Sequence, residues 1–220
     1  AVVKAGGKVI GGVRHPLNSS DFSSYLLQAQ SSGAKVIAFA NAGSDATNAI
    51  KQAAEFGLTR SRQKVASLLM FLTDVKALGL PVAQGLNLTA TFYWDLNDRT
   101  RAFSERFAKR MRNAAVPTMP QAGTYAGTLH YLKAVEALEG DTQDGSKVVA
   151  KMKELSKDDP LFGKGEVRAD GRAIHPVYLF QAKAPADSKG PWDLYKLVET
   201  VPGEQGFRPM SEGGCPLVKK

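Results

Sequence analysis

Between Lys8 and Leu58 short apolar runs alternate with segments of helical pattern, and this alternation leaves few folds open to the chain. KVIGGV (8–13) and KVIAFA (35–40) are rich in β-branched residues and read as strands. After the first, Asn18, Ser19, Ser20 and Asp21 offer N-caps, Phe22, Tyr25, Leu26 and Ala29 form one apolar face, and Gly33 ends the helix. After the second, Ser44 or Asp45 caps a helix whose buried face is Ala46, Ala49, Ile50, Ala53 and Phe56, with Gly57 as the stop. Strands alternating with helices at this spacing predict a parallel sheet covered on both faces, an α/β fold. AVVKAGG (1–7) reads as the last turn of a helix closing on glycine, so a preceding element is expected.

A third strand is expected at Val65–Leu69, then a short helix from Thr73 to Leu78 stopped by Gly79 and Pro81, then a strand at Asn87–Tyr93. Three helices follow over 98–113, 121–139 and 146–155 with no strand between them, so the alternation stops. Their apolar faces (Phe103, Phe107, Met111; Tyr125, Leu129, Leu132; Val148, Val149, Met152) need a partner surface, expected to be a missing N-terminal half of the same protein. Beyond Pro160, Ala169-Asp170-Gly171 predicts a tight hairpin, 177–183 and 192–201 read as strands, and the Gly- and Pro-rich stretch from Pro202 reads as an irregular tail.

Composition narrows function. At 220 residues and 43% hydrophobic content the chain can bury a proper core as one large domain or two small ones. The longest apolar run, near 65–72, is far short of the roughly 20 residues a spanning helix needs, so no membrane insertion is expected. A net charge of +8 raises the question of nucleic acid. The densest basic segment (Arg99, Arg101, Arg106, Lys109, Arg110, Arg112) alternates with Ala102, Phe103, Phe107 and Met111 at helical spacing, which is the pattern of a solvated helix face. Neither a stacking platform nor zinc-finger spacing accompanies it, and no nucleic acid partner is expected. His15, His130 and His175 lie on different elements without metal spacing and read as surface or capping residues; no metal or cofactor is expected. GGKVIGG lacks the G-x-G-x-x-G order, and no catalytic motif appears, so the chain reads as a non-enzyme. Cys215 is alone.

Parallel α/β sheets bind ligands at the carboxyl ends of their strands. Asn41, Ala42 and Gly43 leave KVIAFA and open a helix, where backbone N–H groups can meet a polar or anionic group; an ordinary βα loop has the same appearance. Leu69 and Phe71, with Met70, leave the third strand and read either as an apolar wall or as plain core. Gln121 stands at a helix start, as a cap or a ligand contact. Tyr93, Trp94 and Asp95 lie where the pattern changes, and are read as a hinge.

The stretches VIAFANAGSDATNAIKQAAEFGL, FYWDLND with TRAFSERF, QAGTYAGTLHYLKAVEAL, DGRAIHPVYLFQAK and GPWDLYKLVETVPGEQGFRPMSEGGCPLV together resemble the type I periplasmic solute-binding proteins of ABC transporters, in the branched-chain amino acid receptor group. The last two look most like the subgroup associated with aromatic acids. The resemblance covers nearly the whole chain as the C-terminal two thirds of such a receptor. It implies two Rossmann-like lobes: 1–93 with 177–201 as the second lobe, 95–174 as the remainder of the first, and 202–220 as a tail. It also implies a periplasmic location, a small ligand trapped by lobe closure, and an ABC transporter permease as partner. Carried over position by position, the ligand loops are Asn41, Ala42 and Gly43, then Leu69 and Phe71, with Gln121 opposite. Amino-acid receptors of this group place an aromatic residue near the first loop and an acid near the second. Here Ala42, Gly43 and LLMF stand instead, which favours an uncharged or aromatic carboxylate. Two other readings remain: an effector-binding domain of a regulator or sensor with the same fold, which an upstream helix-turn-helix would favour, and an α/β enzyme, which would need a cofactor fingerprint.

Overall fold

Three short strands in parallel register organise the first part of the molecule: β1 (Val36–Phe39), β2 (Lys64–Ser67) and β3 (Asn87–Ala90), with Val36 opposite Lys64 and Ala66 opposite Asn87. With β7 (Val177–Ala182) and β8 (Tyr195–Val201) they form a five-stranded sheet in the order β1-β2-β3-β7-β8. The computed structural model describes residues 2–155, 157–216 and 218. The chain divides into two units, Ala1–Thr89 with Leu179–Val198, and Ala90–Tyr178 with Glu199–Lys220.

In the first unit α1 (Ser23–Ser31), α2 (Gly43–Glu55), α3 (Leu72–Leu78) and α4 (Leu80–Ala83) accompany the strands. Residues Ala46, Ala49, Ile50 and Ala53 recur at three- and four-residue intervals, so α2 buries one stripe, and all four are essentially inaccessible. Gly57 ends that segment in the left-handed region at φ 73°, where a side chain would be strained. Leu58, Val65, Val75, Leu86, Leu88 and Phe180 complete the buried core of this unit.

KVIGGV is not a strand. Residues 7–16 carry no regular structure, Val9 and Ile10 are 65% and 50% exposed, and the expected helix turn at the start is a pair of tight turns closed by Ala5 N–H to Val2 O and Gly6 N–H to Val3 O. A strand requires a neighbour for its N–H and C=O groups, and composition cannot supply one. β1 is the outermost strand of the sheet and its Val36 is 55% exposed.

The second unit holds α5 (Asp98–Ala108), α6 (Met119–Ala137) and α7 (Gly145–Glu154), then an antiparallel sheet of β4 (Lys157–Asp159), β5 (Gly163–Val167) and β6 (Ala173–Ile174). Asn97 caps α5 by accepting from Thr100 N–H at 3.1 Å while Thr100 Oγ1 accepts from Asn97 N–H at 3.0 Å. Phe92, Phe103, Ala122, Ala126, Leu161 and Phe162 form its core, with Trp94, Phe107 and Met119 packed against it. α6 turns the small stripe Ala122, Ala126, His130 and Ala134 inward, where small residues allow close packing, and Tyr125 and Leu132, on the face expected to need a partner surface, are exposed. β4, a polar run, gave no apolar alternation to read. The hairpin at Ala169-Asp170-Gly171 is present, joining β5 to β6.

The expected irregular tail contains α8 (Gly203–Gly206). A Cβ on Gly203 would stand 2.7 Å from Ile174 Cγ2 and 2.8 Å from His175 O. Gly203→Ala is therefore expected to destabilise the second unit by about 1–3 kcal/mol, read as a lower urea midpoint. In the first unit, burial pushes the Asp193 carboxyl up, but Lys183 Nζ at 2.6 Å and the Lys189 N–H at 2.9 Å hold it below the ordinary carboxylate value. That contribution is fully present above the unfolded value of about 3.9 and is lost as pH falls through the lower folded value. Lys183→Met is expected to flatten the acid limb of a stability-against-pH curve below about pH 4, measured by denaturation at each pH.

Candidate functional site

At the carboxyl end of β1 the chain turns through Asn41 and Ala42 into α2. The helix starts at Gly43, two or three residues earlier than the sequence suggests, with Ala42 at the extended N-cap position and Gly43 at φ 59°, a conformation that favours glycine. Ala42 makes no side-chain cap, so Ser44 and Asp45 fall inside the first turn. Ala42, Gly43 and Ser44 are exposed. An exposed helix start without a side-chain cap presents N–H donors and the positive end of the helix dipole.

Beneath this turn lies a polar cluster. Asn41 Nδ2 donates to Asp45 O at 3.3 Å and stands 3.3 Å from His15 Nε2. His15 Nδ1 is 2.8 Å from Pro16 O, an acceptor, so Nδ1 carries the proton and Nε2 accepts from Asn41. Asp45 is 6% exposed; its Oδ2 accepts from Asn18 N–H at 3.1 Å. Asn41 Oδ1 and Asp45 Oδ1 are buried without a hydrogen-bond partner among the described residues. Gln52 ties the preceding loop to α2, accepting from Phe22 N–H and donating to Ser20 O, each at 2.8 Å. The Phe22 ring meets the His15 ring edge-on at 4.9 Å, and Tyr25 lies 6.1 Å from it.

After β2, Leu69 is exposed, Phe71 is half-buried with its N–H donating to Asp74 Oδ2 at 2.8 Å, and Met70 is core. Gln121, in the other unit, is exposed, and its Oε1 accepts from Thr118 N–H at 3.0 Å and from Thr118 Oγ1, so it closes a capping box at the start of α6. Tyr93 is buried, its ring 6.0 Å from Trp94, and Asp95 pairs with Arg101 at 2.8 Å.

The structure thus brings Asn41 together with two residues that the sequence did not single out as site residues, His15 and Asp45. The sequence reads His15 as a surface or capping residue and Asp45 as a cap; His15 and Asn41 meet across 26 residues of chain. His130 is buried, with Nε2 2.7 Å from Met152 O in the last turn of α7, which fits the capping alternative. Among the described residues no cluster of three His, Cys, Asp or Glu is arranged for a metal ion, and no helix is long and apolar enough to cross a membrane.

A parallel sheet with polar βα loops at its carboxyl edge is the architecture on which α/β proteins bind ligands. The family described as periplasmic binding protein matches residues 1–191, and the chain belongs to it. Among solved structures, a periplasmic binding protein from Burkholderia mallei is 49% identical with a TM-score of 0.87, over 99% of this chain and 56% of that one. A branched chain amino acid ABC transporter periplasmic ligand-binding protein from Burkholderia xenovorans LB400 is 45% identical with a TM-score of 0.88, over 98% and 56%. A solute binding protein of an ABC transporter from R. palustris, in complex with 4-hydroxybenzoate, is 25% identical with a TM-score of 0.77, over 91% and 54%. The chain spans 45% of the length of the curated relatives it matches, about half.

The Thr118–Gln121 capping box carries a prediction of its own. Gln121→Ala is expected to cost about 0.5–2 kcal/mol of helix stability, measured as a shift in the urea midpoint.

Proposed function

We propose that this chain is part of an extracytoplasmic solute-binding protein that captures a small carboxylate, an aromatic acid or a branched-chain amino acid, and delivers it to an ABC transporter permease. The observation that carries this reading is the start of α2. Its first-turn N–H groups lie exposed at the carboxyl end of a parallel strand with no side-chain cap, a natural seat for a carboxylate. Leu69 and Phe71 supply apolar surface after the next strand, Asn41, Ala42 and Gly43 the polar edge, and Gln121 its Nε2, since its Oε1 is engaged with Thr118. Residues 1–93 with 177–201 act as one lobe, 95–174 belong to the other, 202–220 form the tail, and Tyr93, Trp94 and Asp95 serve as hinge. Capture is a population shift toward a closed state, driven by contacts that the solute makes with both lobes, and no covalent chemistry is involved. The remainder of the clamp belongs to the further half of the length its relatives have. The Burkholderia xenovorans and R. palustris relatives, by what they are named for and hold, support both solute classes.

The test is a thermal-shift titration of the protein in its longest natural form against L-leucine, L-phenylalanine, benzoate and 4-hydroxybenzoate. A melting temperature that climbs with ligand concentration is expected for at least one of them. The 220-residue chain by itself is expected to bind the same solute far more weakly. No shift with any of the four sinks the reading.

A further inference from the structure

We infer that Asp45 and Asn41 form a donor-receiving subsite: their unpartnered oxygens accept an ammonium or hydroxyl group of the captured solute. This deepens the solute-binding reading and rests on it. Asn41 Nδ2 is engaged with Asp45 O and His15 Nε2, His15 Nδ1 is engaged with Pro16 O, and Asn18 N–H is engaged with Asp45 Oδ2. The donors recorded in the cluster are spent, and two buried acceptors, Asn41 Oδ1 and Asp45 Oδ1, are left over. Buried acceptors are ordinarily satisfied, and one belonging to a carboxylate is the most costly to leave bare. The chemical complement of such a surplus is a group rich in N–H or O–H.

The neighbouring helix start sharpens the choice. The exposed amides of the first turn of α2 suit a carboxylate, yet Asp45 in that same turn offsets part of the helix's positive end. A bare anion meets an adjacent negative charge. A solute carrying a donor beside its carboxylate meets a complementary pair, amides on one side and the Asp45–Asn41 oxygens on the other. The sequence comparison with amino-acid receptors looks for an acid after the third expected strand and finds LLMF. The structure supplies an acid from the first turn of α2 instead. Half-buried Asn41 and exposed Ala42 form the approach, with the Phe22 and Tyr25 rings around His15.

Two matched pairs test this by calorimetry on the longest natural form: L-leucine against 4-methylpentanoate for the ammonium, and 4-hydroxybenzoate against benzoate for the hydroxyl. The expected result is that the donor-bearing member of one pair binds at least about tenfold tighter, since a site built around hydrogen bonds rejects the analogue that lacks them. Asp45→Asn is expected to erase most of that preference, the loss falling on the donor-bearing member. Asn41→Leu is read in the same way, so a variant that fails to fold does not end the test; melting temperatures report folding for both. Equal binding of both members of each pair by the wild type overturns the subsite and leaves solute capture standing, the oxygens then being served by water. Equal weakening of both members by the two variants makes the cluster a scaffold and also overturns it. Failure of the wild type to bind any of these four probes overturns the subsite, and solute capture falls with it when L-phenylalanine gives no thermal shift either.

Discussion

The parallel ladder that runs from Val36 beside Lys64 to Ala66 beside Asn87 is the constraint on which the first unit depends. Parallel pairing sends every connection back across the sheet through a helix, so the carboxyl ends of β1, β2 and β3 all emerge along one edge. The loop into α2 and the loop into α3 share an edge for that reason alone. The buried stripe of α2, packed by Ala46, Ala49, Ile50 and Ala53, holds the first of those loops in place from below.

Stability and binding pull differently at that loop. A helix start is ordinarily satisfied by a Ser, Thr, Asp or Asn side chain at the N-cap, and Asn41, Ser44 and Asp45 were all at hand. The chain instead places Ala42 there, with Gly43 in the left-handed region, and turns Asn41 and Asp45 inward to a buried cluster with His15. Local helix stability is given up, and backbone donors stay exposed. Side chains do cap α5, through Asn97 and Thr100, and α7, through Asp144, whereas α1 and α3, like α2, start on residues that make no side-chain cap.

Much of the fold was legible because its signals are local. The helix over Gly43–Glu55 announced itself through apolar spacing, Gly57 through its stop, and the β5–β6 hairpin through Ala169-Asp170-Gly171. Membership of the periplasmic binding protein family was legible as well, since long stretches such as VIAFANAGSDATNAIKQAAEFGL resemble it directly. KVIGGV misled because β-branched residues report a preference for strand, and strand is a property of two segments. On α6 Tyr125 and Leu132 match helical spacing as well as Ala122 and Ala126 do, and only the neighbouring layer decides which side is inside.

By itself the sequence determined the α/β class, the positions of most helices, the family, and the loop at Asn41–Gly43 as a place to look for a ligand. These follow from periodicity, capping chemistry and turn residues, which act over a few positions. Tertiary structure alone decided that β1 is an outer strand and that residues 7–16 form no strand of the sheet. It alone decided that His15, Asn41 and Asp45 share one cluster whose acceptors outnumber its donors. Hydrogen bonds between loops 26 residues apart leave no trace in spacing, because closure of the chain, and not local preference, brings those atoms together.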